Sequence, residues 1–340
     1  MKSLFCFEPF VRLRLNSINY TSCCQLIDPK TSAHPSVGRF PNPPDFNNDK
    51  FKEIRETILD GSYTYCQECP YLKTALRTNK FSLVKPRELF IKPWQIQVMK
   101  GGSLAVDPSS VPLVMAFNYD KSCSLHCTFC REKVFFVKSN TPKYQQLIDY
   151  QSILVKEWLP KIKTGIFCGD GDPFTGITYK ILSETPPEVC REDFEIVILT
   201  NGVFLKRKWE AMTLKRFVKK VKISIDAATE DTYVKTRRGG NFQQVLESAQ
   251  FVSELGIPLS LNFVLSDDNW QETISFIKLA KSLNATTYIQ GIRGCPEKAI
   301  WQESHPNHEK FMDYLKDPIF LDKKTVFQQS YLIRKAHNEC

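Results

Sequence analysis

Between residues 113 and 290 the chain alternates short apolar runs with longer stretches of helical periodicity, and few folds accept that alternation. The runs at 113–117, 165–168, 196–199, 221–225, 259–264 and 287–290 carry β-branched or aromatic residues, and each is bounded by polar residues or glycine. Helical stretches fall between them at 144–158, 176–183, 204–219, 242–255 and 270–283. In the fourth, Val245, Ala249 and Val252 share a face with Leu246 beside them, and Gly256 stands where a helix would stop. Strands joined through helices are parallel neighbours, because parallel pairing needs a crossover. The expected class is α/β: a partial (β/α)6, TIM-like barrel, with a doubly wound open sheet as the alternative. Either fold places its working loops after the carboxyl ends of the strands.

The first hundred residues read differently. Residues 11–15 alternate with period two, 16–19 can turn the chain, and Tyr20 and Thr21 begin a return strand toward Cys23 and Cys24, so a β-hairpin is expected. A linker rich in proline follows (Pro35, Pro41, Pro43, Pro44), then a short helix marked by Phe51, Ile54, Ile58 and Leu59 and stopped by Gly61. It delivers the chain to Cys66 and Cys69. The expected organisation is a small module over 1–100, the barrel over 105–298 and a helical extension over 299–340. Trp301, Phe311, Tyr314, Phe327 and Tyr331 give that extension the means to cap the barrel's open side.

Twelve of the 340 residues are cysteine, about two to three times ordinary usage. A chain this long builds a core without disulfide staples, so metal ligation or redox chemistry is the better explanation. Hydrophobic content of 42% and 24 Phe exclude a disordered chain. At the start, Leu4 to Phe7 are apolar, but Glu8, Pro9, Arg12 and Arg14 interrupt the run, so no signal peptide is expected. No segment approaches the roughly 20 apolar residues of a membrane helix. A cytoplasmic protein with no membrane partner is expected. The net charge of +9 comes largely from Lys206, Arg207, Lys208, Lys215, Arg216, Lys219, Lys220 and Lys222, which read as the solvated face of a helix more readily than as a nucleic-acid surface.

The densest chemistry is Cys123-Ser124-Leu125-His126-Cys127-Thr128-Phe129-Cys130, directly after the first barrel strand. Three thiolates in so short a loop can ligate three irons of a cubane cluster and leave the fourth iron open. Zinc, with His126 as fourth donor, is the competing reading.

This loop resembles that of the radical S-adenosylmethionine (SAM) superfamily, which carries Cys-x3-Cys-x2-Cys with an aromatic residue, here Phe129, before the last cysteine. Further elements follow in the family's order. Gly169-Asp170-Gly171-Asp172-Pro173 is similar to its Gly-Gly-Glu-Pro element, with Asp172 for the glutamate, and Thr200-Asn201-Gly202 follows the third strand. Ser224-Ile225-Asp226, Tyr233 and Arg237-Arg238-Gly239-Gly240-Asn241-Phe242 resemble a segment of the subgroup with auxiliary-cluster (SPASM) domains. The likeness covers about residues 110–295.

The resemblance implies a catalytic [4Fe–4S] cluster on Cys123, Cys127 and Cys130, with SAM chelated at the open iron beside Phe129. Gly169, Asp170, Gly171 and Asp172 would approach the methionine ammonium, Ser224 and Asp226 the ribose, and Arg237 the methionine carboxylate, with Asn201 in support. Reductive cleavage of SAM would then give a 5′-deoxyadenosyl radical that abstracts hydrogen from a substrate. The subgroup implies a peptide or protein substrate, and an electron donor such as flavodoxin or ferredoxin. A small carbohydrate or amino-acid metabolite is the enzymatic alternative. A non-enzymatic iron–sulfur or zinc protein that binds nucleic acid is the alternative from another class.

The amino-terminal cysteines resemble parts of a SPASM domain, including its Asp-Gly-Ser-Tyr approach at Asp60 to Tyr63. Cys6, one of Cys23 and Cys24, Cys66 and Cys69 would hold a second, auxiliary [4Fe–4S] cluster, with structural zinc as the alternative. The family usually carries this domain after the barrel; here the similar residues precede it. Cys168, Cys190, Cys295 and Cys340 read as small buried hydrophobes, although Cys168 and Cys295 end strands where they could take part in chemistry.

Overall fold

The computed structural model describes residues 4–6, 8–16, 19–23, 26–39, 42, 45–78, 82–84, 112–168 and 170–337. Within them the chain forms two compact units, one of residues 1–120, 140–169 and 185–197, the other of 121–139, 170–184 and 198–340. These divisions fall at other places than the expected module, barrel and extension.

In the first unit, β1 (Leu4–Cys6) and β5 (Ser82–Val84) form a parallel pair. A second sheet holds β2 (Arg12–Asn16), β3 (Asn19–Thr21), β4 (Gly38–Arg39), β6 (Val114–Asn118) and β7 (Thr164–Phe167), in the order β7-β6-β2-β3-β4. The hairpin is present: β2 and β3 are antiparallel, with Leu15 opposite Tyr20. However, β2 also pairs in parallel with β6, Leu13 against Met115 and Leu15 against Phe117. The amino-terminal strands therefore extend the sheet of the first barrel strands instead of closing on themselves. The physical reason is burial: Leu13, Leu15, Val114, Met115 and Phe117 are all inaccessible to solvent, and a two-stranded ribbon alone could not cover them.

Phe117 stacks on Phe167 with centroids 4.7 Å apart, and Gly165 leaves room for both, since a Cβ there would lie 3.0 Å from Phe194. Asn48 caps the helix Asp49–Leu59 by accepting from the Phe51 N–H, and Thr141 caps Pro142–Ile153 through the Tyr144 N–H. Pro142, at the first helical position, needs no intrahelical donor there.

In the second unit, β9 (Val218–Ser224), β10 (Leu259–Leu265), β11 (Thr286–Gly291) and β12 (Thr325–Phe327) lie parallel in the order β12-β11-β10-β9. Strand β8 (Glu195–Thr200) begins in the first unit and ends in the second. The six expected barrel strands are thus β6 to β11, and the fold is the expected α/β class with a parallel sheet, consistent with a partial TIM-like barrel. The seventh parallel strand, β12, was not expected from the sequence. Phe242–Glu254, capped by Asn241, and Thr273–Ser282 supply crossovers.

The helix expected over 204–219 is a correction. Only Leu205–Trp209 is α-helical, with a single 3-10 turn at Lys215–Phe217; Leu214 ties its N–H to the Leu182 carbonyl, and β9 begins at Val218. Val218, Val221 and Ile223 bury their β-branched side chains in the sheet, which overrides helical periodicity. The basic residues of this stretch therefore do not share one helical face. Between β9 and β10, Glu230–Thr236 adds a helix, capped by Thr229, that the sequence reading omitted. Among the described residues no helix is long and apolar enough to cross a membrane.

Candidate metallocofactor site

The loop that carries Cys123, Cys127 and Cys130 is held by main-chain bonds in the second unit. Cys123 exchanges two with Phe135, as an isolated antiparallel bridge. The His126 N–H donates to the Arg238 carbonyl at 3.1 Å and the Thr128 N–H to the Thr236 carbonyl at 3.1 Å. The Cys130 N–H donates to the Cys127 carbonyl at 2.9 Å, which turns the last two thiols onto one short arc. Cys127 is buried, Cys123 half-buried and Cys130 exposed. Burial pushes the Cys123 and Cys127 thiols up, and Arg237 opposes that shift at Cys127.

The Gly-rich element is locked to the end of β8 by Asp172. Its carboxylate accepts from the Thr200 hydroxyl at 2.7 Å, the Asn201 N–H at 2.7 Å and the Phe174 N–H at 3.0 Å, while its own N–H donates to the Ser122 carbonyl. Asp172 is buried, and burial raises its pKa despite these donors. In this structure Asp172 is a brace joining three loops. Asn201 turns the other way: its side-chain oxygen accepts from the Val203 N–H, and its Nδ2 lies 3.7 Å from the Cys123 sulfur. Gly202 has φ +81°, and a Cβ there would come 2.9 Å from Ile223, so the turn requires glycine.

Asp226 and Arg237 sit together. The Arg237 Nε donates to Asp226 Oδ2 at 2.6 Å, and its Nη2 makes a second, shorter contact to the same oxygen. Asp226 Oδ1 accepts from the Val264 N–H at 2.7 Å, and the Asp226 carbonyl from Asn269 Nδ2 at 2.9 Å. These bonds fix Asp226 at φ +61°, a left-handed conformation that Asp tolerates better than most residues. Burial opposes the charge on Arg237, but Asp226, Cys127 and Tyr233 outweigh it and hold the guanidinium cationic. Arg237 also lies over the Phe129 ring, 5.7 Å from its centroid.

The remaining expected residues are placed as follows. Asp170 is exposed and 4.0 Å from Lys121, a surface ion pair, and Gly171 is half-buried. Ser224 is half-buried and opposite Asn262 in the β9–β10 register. Gly169 lies outside the described residues. In the first unit Cys6, Cys66 and Cys69 are buried and Cys23 half-buried; Cys24, like Cys340, lies outside the described residues. Cys168 donates to Asn118 Oδ1 at 2.6 Å.

Asn269, Thr200 and Tyr233 carry more of the site than the sequence reading gave them. Asn269 accepts from both the N–H and the hydroxyl of Ser266 at its side-chain oxygen, a contact three residues apart that a Ser-x-x-Asn spacing could have signalled. Tyr233 is fully buried, and a Cβ on Gly240 would lie 2.5 Å from its hydroxyl, so the second glycine of the pair makes room for this ring.

The donor set fits a cubane. Three thiols from one loop can serve three separate irons, and an amide N–H beside Cys123 suits a thiolate ligand. His126 Nδ1 and Ser124 Oγ are buried without a partner in the same loop, which leaves polar capacity where a cluster and its ligand would stand. Among the described residues, no three or more Cys, His, Asp or Glu side chains are gathered as ligands of a single ion. A cubane takes its ligands at separate irons and does not require that convergence.

A parallel α/β fold with three thiols in the loop after its first barrel strand defines a protein built around a metallocofactor. The family model for the radical SAM superfamily matches residues 119–280, and this segment is a radical SAM domain, of the kind that carries a [4Fe–4S] cluster and SAM. The chain is 23% identical over 181 residues to AdoMet-dependent heme synthase of Methanosarcina barkeri, covering 53% of this chain and 50% of the relative. It is 30% identical over 169 residues to GTP 3′,8-cyclase of Alkaliphilus oremlandii, covering 46% and 49%. The chain thus spans about half the length of the curated relatives it matches. Among solved structures, Streptococcus suis SuiB bound to its precursor peptide SuiA is similar at 14% identity and a TM-score of 0.46, covering 85% of this chain and 64% of SuiB.

Proposed function

We propose that this chain is a radical SAM enzyme that abstracts hydrogen from a peptide or protein side chain. The observation that carries the reading is the Cys123–Cys130 loop, fastened by its backbone to the carbonyls of Thr236 and Arg238 and by Ser122 to the Asp172 brace. Cys123, Cys127 and Cys130 would hold the catalytic cluster, which with SAM supplies reductive cleavage to methionine and a 5′-deoxyadenosyl radical. Asn201 donates toward the Cys123 sulfur and orients that ligand. Asp172 and the Asp226–Arg237 pair hold the surrounding turns in register, so their part is positioning more than direct contact with SAM. Phe129, Tyr233 and Phe242 wall the loop with aromatic surface and keep water from a reactive carbon.

The peptide substrate rests on the likeness of the 224–242 segment to the SPASM subgroup and on the basic charge balance, which suits an acidic peptide. In the same reading Cys6, Cys23 or Cys24, Cys66 and Cys69 hold an auxiliary [4Fe–4S] cluster, and a flavodoxin or ferredoxin supplies electrons. A small-molecule substrate is the second reading, favoured by the matched relatives, which are named as a GTP cyclase and a heme synthase. Deuterium transfer separates the two. The reconstituted chain is incubated with SAM, reductant and either deuterated acidic peptides or deuterated nucleotide, and label is sought in 5′-deoxyadenosine. Label from peptide is expected; label from nucleotide alone would contradict the substrate assignment.

A further inference from the structure

The segment that follows the cysteine loop exposes three large apolar residues in a row. Val134, Phe135 and Phe136 are 37%, 42% and 52% exposed, while the typical large hydrophobe of this chain is buried. They are not a detached loop. The Cys123–Phe135 bridge joins the run to the first thiol, the Val137 N–H donates to Ser122 Oγ, and Arg131 Nη1 donates to the Lys121 carbonyl at 2.7 Å. The surrounding charge is net positive: across 121–139, Lys121, Arg131, Lys133 and Lys138 stand against Glu132, with Lys121 4.0 Å from Asp170. Cys130, the exposed thiol of the loop, immediately precedes this strip.

An apolar centre with a cationic rim suits a protein partner whose own rim is acidic. We propose that residues 131–138 are the docking surface for an acidic one-electron carrier protein with a flavin or iron–sulfur centre. The inference rests on the radical SAM reading, because only a cluster in this loop gives the carrier something to reduce. One electron leaves the carrier and one enters the cluster, with no bond made and no proton moved. Electron transfer weakens steeply with distance, so a donor gains most by approaching the loop that holds the acceptor. A peptide substrate is a different occupant, and the experiment separates it from the carrier.

The test uses the reconstituted full chain, kept anaerobic, with photoreduced flavodoxin as one reductant and dithionite as the other. Cluster reduction is followed by loss of its visible absorbance. Lys133→Glu and Phe136→Asp, neither of which is in the cofactor machinery, are expected to lower the second-order rate with flavodoxin by about tenfold each. That rate should fall with added salt in the unaltered chain, and reduction by dithionite should be unchanged in both variants. Flavodoxin rates equal to the unaltered chain would overturn the proposal. So would variants that impair a dithionite-driven reaction on peptide while flavodoxin reduction stays intact, an outcome that assigns the strip to substrate. If dithionite itself reduces no cluster in the unaltered chain, the radical SAM reading fails, and the docking surface with it.

Discussion

The two groups of cysteines are built on different principles. Around Cys123, Cys127 and Cys130 the protein invests buried charge: the Asp226–Arg237 pair, the Asp172 carboxylate with three donors, and an amide against the first sulfur. Around Cys66 burial pushes the thiol up to about 12, with the neighbouring Cys69 adding to the shift. Buried polar networks cost stability unless each member is satisfied, and they return geometric definition. The difference indicates a loop held in place by buried charge, and a Cys66 thiol whose shift, among the described residues, comes from burial and Cys69.

That contrast can be broken in order of size. Cys127→Ala removes one corner of the proposed catalytic site, and the reconstituted chain should lose about four irons, the content of one cubane, while those proposed for the amino-terminal group remain. Iron and sulfide counting checks this; loss of both clusters together would erase the distinction. Arg237→Met leaves Asp226 buried with no counter-ion and should cost about 3–5 kcal/mol in urea unfolding of the metal-free chain. Adding Asp226→Leu should restore part of that loss, because the pair is coupled. Gly240→Ala drives a methyl against the Tyr233 hydroxyl and should cost about 1–3 kcal/mol, with partial rescue by Tyr233→Phe.

The smallest effect is a titration. The Cys66 pKa, raised from 9.0 to about 12 in the folded chain, means the folded state holds that proton more tightly. The stability it contributes is fully present below pH 9.0 and is lost as pH rises through about 12. Unfolding of the metal-free chain over this range should show the decline, and Cys66→Ala should flatten it. A decline that persists unchanged in Cys66→Ala would assign the effect to another group.

Much of the frame is legible in the sequence. The six barrel strands lie where β-branched runs bounded by polar residues place them: β6 and β7 are buried along their whole length, while β9 alternates buried Val and Ile with less buried Lys. The stretch from 204 to 219 misled, since Leu205, Trp209, Met212 and Leu214 fit a helical face while Val218 and Val221 were already committed to β9. Within the candidate site, the spacing of the three thiols is legible in the sequence. The pairing of Asp226 with Arg237 was not: each reads singly as a ligand contact, and only the positive φ at Asp226 and the donors from Val264 and Asn269 turn the carboxylate inward. The reach of β2 into the barrel sheet was likewise hidden, because register between strands a hundred residues apart leaves no local trace.

The central claim, that the Cys123–Cys130 loop holds a cluster which cleaves SAM, is tested most directly by 5′-deoxyadenosine. The anaerobically reconstituted chain with SAM and dithionite should form it over many minutes, and Cys127→Ala should form none above the reductant blank. An unaltered chain that carries its full iron and sulfide yet yields no 5′-deoxyadenosine, or a Cys127→Ala chain that yields as much, would contradict the account.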